Sequence, residues 1–378
     1  MVGNDATNAG RFAYMEDLVL GGSDSYTTGI RQDTYYSGPS WNRYFNPDLT
    51  WEVGEKINLG LDLQLFNDFN LTFDIFREKR RDIFMTRENS IPEIVGTGET
   101  KITSNNGEME NKGLDLAIDY NKQITKDFFL SFKSTLTFAR NKVLKMDESP
   151  YFEYPGLSDV GHPLGTYWGY VADGLFPDQE TIDNSPRQDL GYTPQPGDIK
   201  YVNQPNAKGE YDNVINSNDR VAIGHPYDPE LVYGFGPSMK WKNWDFSFFF
   251  QGVARTSFMM YGMHPFGTTS IKNMLQFVAD DHWSVDNPNP NAAYPRLTKD
   301  SNGNNDQYST YWLRNAAFLK LKNAEIGYTY KGMRFYLSGV NLLTFSPFKH
   351  WDPEMGGGNG LYYPTQRVFN IGFQMTIQ

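Results

Sequence analysis

The sequence predicts an all-β chain, a transmembrane antiparallel β-barrel, from three observations: its last stretch, its paired alternating segments and its aromatic-rich but polar composition. From Arg367 to Gln378, Phe369, Ile371, Phe373, Met375 and Ile377 alternate with Asn370, Gly372, Gln374, Thr376 and Gln378. Successive strand residues point to opposite faces, so this strand needs an apolar medium on one side and a polar one on the other. A membrane barrel supplies both.

The other alternating segments come in pairs. Ile57, Leu59, Leu61, Leu63 and Leu65 are followed by a turn at Asn67 to Asn70 and then Leu71 to Ile75. Leu114, Leu116, Ile118 and Tyr120 turn at Thr125-Lys126-Asp127 into Leu130, Phe132, Leu136 and Phe138. Glu230 to Trp241 turns at Lys242-Asn243 into Trp244, Phe246, Phe248 and Phe250, and Leu319 to Tyr330 turns at Lys331-Gly332 into Arg334 to Asn341. Short turns between period-2 runs are hairpin signals. With an opening strand at Arg11 to Val19 and the terminal strand, ten membrane-crossing strands are expected. A strand over Met333 to Ser346 would rise roughly 35 Å, enough for an apolar band of about 25 Å.

The connections between pairs, near 19 to 52, 86 to 108, 144 to 229, 257 to 311 and 346 to 366, are long and rich in Gly, Pro, Asn, Asp and Tyr. Long loops at one end and tight turns at the other are the layout of an outer-membrane barrel, with the loops, chiefly 144–229 and 257–311, outside the cell. Helical spacing of Ile271, Met274, Leu275, Phe277 and Val278 predicts one helix packed on other loops.

Composition agrees. Aromatics are 16%, with 24 Tyr, 27 Phe and 8 Trp, although mean hydropathy is only -0.58. Trp241 and Trp244, flanking a short turn, are expected in an aromatic girdle, and Phe246, Phe248 and Phe250 toward lipid. The net charge of -11 and the lack of a basic run exclude a nucleic-acid partner. Absent cysteine excludes disulfides and thiolate metal sites. No run of about 18 apolar residues offers a membrane helix, and Met1-Val-Gly-Asn-Asp5 has no signal-peptide character. The competing expectation is a soluble secreted carbohydrate-binding or hydrolytic β-protein, but no blade-like repeat supports it.

The ordered segments resemble the C-terminal barrel half of the SusC/RagA family of TonB-dependent transporters, over nearly all of residues 1–378. The resemblance rests on Val2-Gly-Asn-Asp5 with Arg11-Phe-Ala-Tyr14, Asn46-Pro-Asp-Leu-Thr-Trp-Glu52, Asn58-Leu-Gly-Leu-Asp62, and Asn106-Gly-Glu-Met-Glu-Asn-Lys-Gly-Leu-Asp115. It continues through Gly161-His-Pro-Leu-Gly165, Asp173-Gly-Leu-Phe176, Pro196-Gly-Asp-Ile-Lys-Tyr201, Asp219-Arg220, Trp312-Leu-Arg314, Ser338-Gly-Val-Asn-Leu342, Asp352-Pro-Glu354 and Tyr363-Pro364. It implies a barrel of about 22 strands with a plug, of which this chain would be the last ten or so, a fragment without signal, plug or first strands. It further implies a multi-pass protein of the Gram-negative outer membrane, importing oligosaccharides or peptides from a SusD-like surface lipoprotein, with energy from the TonB complex.

No catalytic constellation is apparent. Asp280-Asp281-His282, Asp352-Pro-Glu354 and the histidines at 162, 225, 264, 282 and 350 are scattered through loops, so the chain is expected not to be an enzyme and to need no cofactor. Between Asn203 and Arg220 the family often has a calcium-loop-like run, but here Lys208 stands where an acidic ligand belongs, and no metal is expected. Loop aromatics are the candidate ligand-binding residues: Tyr35, Trp41, Trp168, Tyr261, Trp283, Trp351 and Tyr362. Such rings stack on sugars or grip peptides.

Overall fold

A computed structural model of the chain describes residues 3–4, 12, 14–21, 25–87, 89, 91, 94, 102–149, 151, 153–261, 266–267, 270–271, 274–298 and 301–375. One antiparallel sheet dominates it. Its members are β1 (Gly3–Asn4), β2 (Glu52–Leu65), β3 (Phe69–Arg87), β4 (Ile102–Thr125), β5 (Phe128–Lys145), β6 (Leu231–Trp241), β7 (Trp244–Ala254), β8 (Phe318–Tyr330), β9 (Met333–Phe345) and β10 (Val368–Met375). Each pairs with its neighbours in chain order, so the sheet is a continuous meander.

All four expected hairpins form. Trp241 pairs with Trp244 and Tyr330 with Met333, which leaves two-residue turns. At the second of these, Lys331 and Gly332 both have positive φ, 48° and 80°. That backbone matches the twist of the flanking strands, and Gly332 adopts it without steric cost.

The opening strand expected at Arg11 to Val19 is corrected: of its described residues only Asp17–Val19 form a strand, which pairs with Ser40–Arg43 in a separate ribbon. Two residues, Gly3 and Asn4, occupy the tenth place in the sheet instead, against Val53 and Glu52. The first residue of that expected strand, Arg11, and the terminal alternation over 376–378 lie outside the described residues. The expected connection at 86–108 is also shorter, because β3 runs to Arg87 and β4 begins at Ile102. There Met85 pairs with Ser104 and Thr86 with Thr103, a largely polar ladder that apolar alternation does not reveal. The register slips beside Asp82, whose φ is 55°, and the Asn105 amide donates to its carbonyl at 2.9 Å. Such a bulge bends the strand end.

The two sheet faces differ as the alternation requires. One carries Leu59, Leu61 and Leu63 opposite Ile75, Phe73 and Leu71, and Phe335 and Leu337 opposite Phe373 and Ile371. These side chains remain substantially exposed, Ile371 to 90%. Phe246, Phe248 and Phe250 share this face with Met239 and Ile326, and Trp244 stands beside the Tyr328 ring at 4.8 Å near the turns. The other face is polar and internally bonded: Asn58 donates to Asp74 at 3.0 Å, Thr72 to Asp62 at 2.7 Å and Thr137 to Asp115 at 2.6 Å. Gly372 sits on it directly under the Tyr336 ring, where no Cβ would fit.

The hydrophobic core lies in the loops rather than in the sheet. Buried Tyr170, Ile199, Tyr201, Ile223, Phe258, Met260, Val278, Tyr294, Trp312 and Phe348 form one cluster drawn from the three long connections at 146–230, 255–317 and 346–367. The expected helix is shortened to a single turn-and-a-half, Gln276–Asp280, since Ile271 pairs with Phe266 in a strand. Val278 is buried, and Met274, Leu275 and Phe277 pack against the cluster as expected.

Candidate functional site

Two adjoining cavities open in this loop unit. The larger, about 350 Å³, is lined by Tyr261, Tyr294, Arg296, Thr298, Gln307 and Tyr308 among others. The smaller, about 190 Å³, brings together Tyr167, Tyr227, Tyr261, Tyr308 and Tyr362. Tyr261 and Tyr308 belong to both. Five phenol rings from separate loop segments therefore converge on one depression.

Backbone bonds between loops fix their positions. Tyr261 N–H donates to the Gly358 carbonyl at 3.1 Å, Gly358 N–H to Met259 at 2.8 Å, and Met260 N–H to Trp312 at 3.0 Å. Tyr170 and Tyr308 to Thr310 exchange a further pair, both at 2.9 Å. Gly357 lies flat against the Met259 backbone, a contact that any Cβ would block. This allows the 346–366 loop to bring Tyr362 to the cavity.

Below the larger cavity is a buried polar hub. Asp198, fully buried, accepts from Arg296 at 2.7 and 3.3 Å, from Asn302 at 3.0 Å and from Asn305 at 2.8 Å. Arg296 also donates to the Tyr192 hydroxyl at 2.7 Å, and Tyr201 donates to the Asn304 carbonyl at 2.8 Å. Burial works against the Arg296 charge, but Asp198 and Tyr192 outweigh it and raise its pKa. With its charge compensated this way, the hub holds the cavity wall rather than offering a free ion.

Two of the phenols are held above the ordinary tyrosine value. Burial pushes Tyr167 up to about 12, with Tyr227 and Tyr308 adding to the shift. Tyr261 is raised chiefly by its hydrogen bond with Tyr362. The site thus presents ring faces and hydroxyls, which suit a ligand of mixed apolar and hydrogen-bonding surface.

Of the candidate aromatics, Tyr261 and Tyr362 meet in the smaller cavity, and Trp351 borders a third depression with Tyr362. Trp351 is otherwise committed to packing, 4.6 Å from Phe348, with its indole N–H donating to Gly356 at 2.9 Å. Trp283 is only 7% exposed and lies over Gly197, which makes it a core residue. Trp168 donates to Asp159 at 2.6 Å and lines neither tyrosine cavity. Tyr35 lies on the ribbon of Ser25–Thr28 and Thr34–Ser37, and Trp41 stacks on Tyr44 at 5.6 Å, so neither joins the tyrosines. Sequence reasoning missed Tyr167 and Tyr227, whose convergence with the other tyrosines depends on long-range loop pairing. The Asn-Gly-Asn-Asn run at 302–305 was a usable turn signal, though nothing in it announced burial.

The Asn203 to Arg220 segment is organised by its own backbone. Asp219 accepts from Gln204 N–H at 2.7 Å and Asn216 N–H at 2.8 Å, while burial raises its pKa. Asn206 accepts from Lys208 N–H and Glu210 N–H in a tight turn. Among the described residues, no group of three or more acidic or histidine side chains is placed to hold a metal.

An alternating sheet with an apolar outer face, tight turns at one end and a packed loop unit at the other defines a membrane β-barrel wall. Residues 11–342 match the TonB dependent receptor-like β-barrel family, and the chain belongs to it. It is an outer-membrane protein, similar in sequence to SusC and in fold to the RagAB transporter. It is 28% identical to TonB-dependent receptor P26 of Formosa agariphila over 96% of this chain and 38% of the relative. It is 27% identical to TonB-dependent receptor SusC of Bacteroides thetaiotaomicron, over 96% of this chain and 35% of that protein. Among solved structures, the RagAB peptide importer in its open-open state aligns at a TM-score of 0.70 and 19% identity, over 99% of this chain and 39% of the other. The chain thus spans well under half the length of these relatives.

Proposed function

We propose that the chain supplies barrel wall and extracellular binding loops to an outer-membrane importer of oligosaccharides or peptides. The importer would work with a SusD-like surface lipoprotein and draw energy from the TonB complex through protein beyond this chain. The observation that carries this is the five-tyrosine depression at the loop end of the wall, which adjoins the cavity held by the buried polar hub. Ring faces and hydroxyls so arranged bind and release a cargo, and the reading needs no bond to be broken.

Two measurements test it. From detergent-solubilised outer membranes, the protein should co-purify with a surface lipoprotein; recovery as a soluble monomer would overturn the reading. Tyr261→Ala with Tyr362→Ala should weaken uptake of a neutral oligosaccharide mixture or of a peptide digest by about tenfold, as loss of two stacking rings implies. Unchanged uptake of both would remove the depression from the transport path.

A further inference from the structure

On the apolar face, the ladder of β2 to β6 ends abruptly toward the loops. Its last apolar row is Leu59, Ile75, Leu114, Phe138 and Leu231, each directly opposite the next. One rung further the row reads Ile57, Arg77, Lys112 and Arg140, and beyond it Glu55, Lys79, Glu110 and Lys142. Three cations thus stand directly opposite one another on three adjacent strands.

Like charges so placed are destabilising without a counter-anion. Glu110 answers part of the charge, 2.6 Å from Arg77 Nε and 2.7 Å from Lys112. Glu230 takes Arg140 at 3.1 Å and also Arg255 at 2.6 Å, the latter lying 5.8 Å over the Phe138 ring. Glu108 takes Lys79 at 3.0 Å. Six cations, Arg77, Lys79, Lys112, Arg140, Lys142 and Arg255, therefore meet three carboxylates, Glu108, Glu110 and Glu230, while Glu55 bonds Arg81 at 3.3 Å. Arg77, Lys112 and Arg140 keep 54–58% of their side-chain surface open.

The excess charge belongs to the lipid side alone. On the rungs to either side the opposite face carries Asn58, Phe76, Gly113 and Ala139, and then Lys56, Glu78, Asn111 and Asn141, where Glu78 answers Lys56 at 3.4 Å and leaves no excess charge. A cation cluster that served cargo in the lumen would be on that face. One rung is about 5 Å of height at ordinary strand rise and tilt, which puts the row at headgroup level. There the abundant anions are lipid phosphates, and clustered Arg and Lys recognise them by charge-assisted hydrogen bonds.

We propose that Arg77, Lys112 and Arg140, with Lys142 and Arg255 beside them, bind the phosphorylated headgroup of an outer-leaflet lipid. The test uses the assembled protein in detergent, titrated with a bis-phosphorylated glycolipid and followed by native mass spectrometry. Retention of that lipid should fall about tenfold in the double variant Lys112→Gln, Arg140→Gln. It should be unchanged in Lys56→Gln, a cation on the opposite face beside Glu78. If the double variant does not assemble, the unmodified protein decides: the phosphatase-treated glycolipid should be retained about tenfold less. Equal retention of both lipids overturns the proposal. Displacement by millimolar inorganic phosphate with no preference for lipid would assign the site to free phosphate and overturn the lipid source.

Discussion

Lys320 is a fully buried lysine that ties the 346–366 loop to strand β8. Its ammonium lies 2.6 Å from Asp352 and 2.5 Å from Glu354, and Lys322 adds a 2.6 Å contact to Glu354. Asp352 also accepts from Thr365 and from Glu354 N–H. Removing Lys320 leaves Asp352 without its cation, so Lys320→Met should cost about 3–5 kcal/mol locally. Faster hydrogen exchange across 346–366 with unchanged exchange in β3 to β5 would report it. Burial pulls the Asp352 pKa up, but its hydrogen bonds to Lys320 and Thr365 win and hold it below the usual carboxylate value. The unfolded loop then takes up a proton before the folded one, so this stabilisation persists above about pH 4 and is lost as pH falls further. His350 acts earlier. One ring face is covered by Phe277 at 4.1 Å, and burial, with Arg314 nearby, lowers its pKa. Stability from neutral His350 is complete above about 6.5, the ordinary histidine value, and declines as pH falls below it. His350→Phe should abolish that mild-acid step in the exchange profile and leave the Asp352 step in place.

At the scale of elements, β10 shows how far alternation reaches. Phe369, Ile371 and Phe373 lie on the face of Gly339, Leu337 and Phe335, all as the period-2 pattern requires. A cation there would have to enter the hydrocarbon, so Ile371→Arg should cost about 2–4 kcal/mol of barrel stability. Asn370→Arg, one residue away on the polar face, should be tolerated. Urea titration of the heat-resistant form in lipid should separate the two, and equal effects would reverse the assignment of faces. This alternation is why the hairpins were legible: a strand between two media writes its orientation into every residue. The upper halves of β3 and β4 were not legible, because above the lipid both faces meet water and Thr86, Thr103 and Ser104 carry no contrast. The site was half legible for a related reason. Tyr261 and Tyr362 stand out as loop aromatics, but nothing local separates them from Trp283, whose burial depends on Gly197, a residue 86 positions away in the chain.

For the whole molecule, the ten strands run from β1 to β10 without a described pair between the two ends of the sheet. One end offers β2, covered over only two residues by β1, and the other offers β10. Backbone groups along such edges find no partners in hydrocarbon, at several kcal/mol for each unmet group. The loop unit faces no such difficulty, since its core is drawn from the three long connections and its Asp198 hub is bonded across two of them. The two parts should therefore respond differently when the 378-residue chain is refolded by itself in detergent. Limited proteolysis should cut at β2 and β10 while the 146–230 segment resists. Supplying the preceding strands of a full-length relative should protect both edges together, because closing a barrel satisfies both ladders at once. Protection of β10 alone would mean that the edges pair with separate partners, and the sheet would then be a wall shared between assemblies rather than one arc of a single pore.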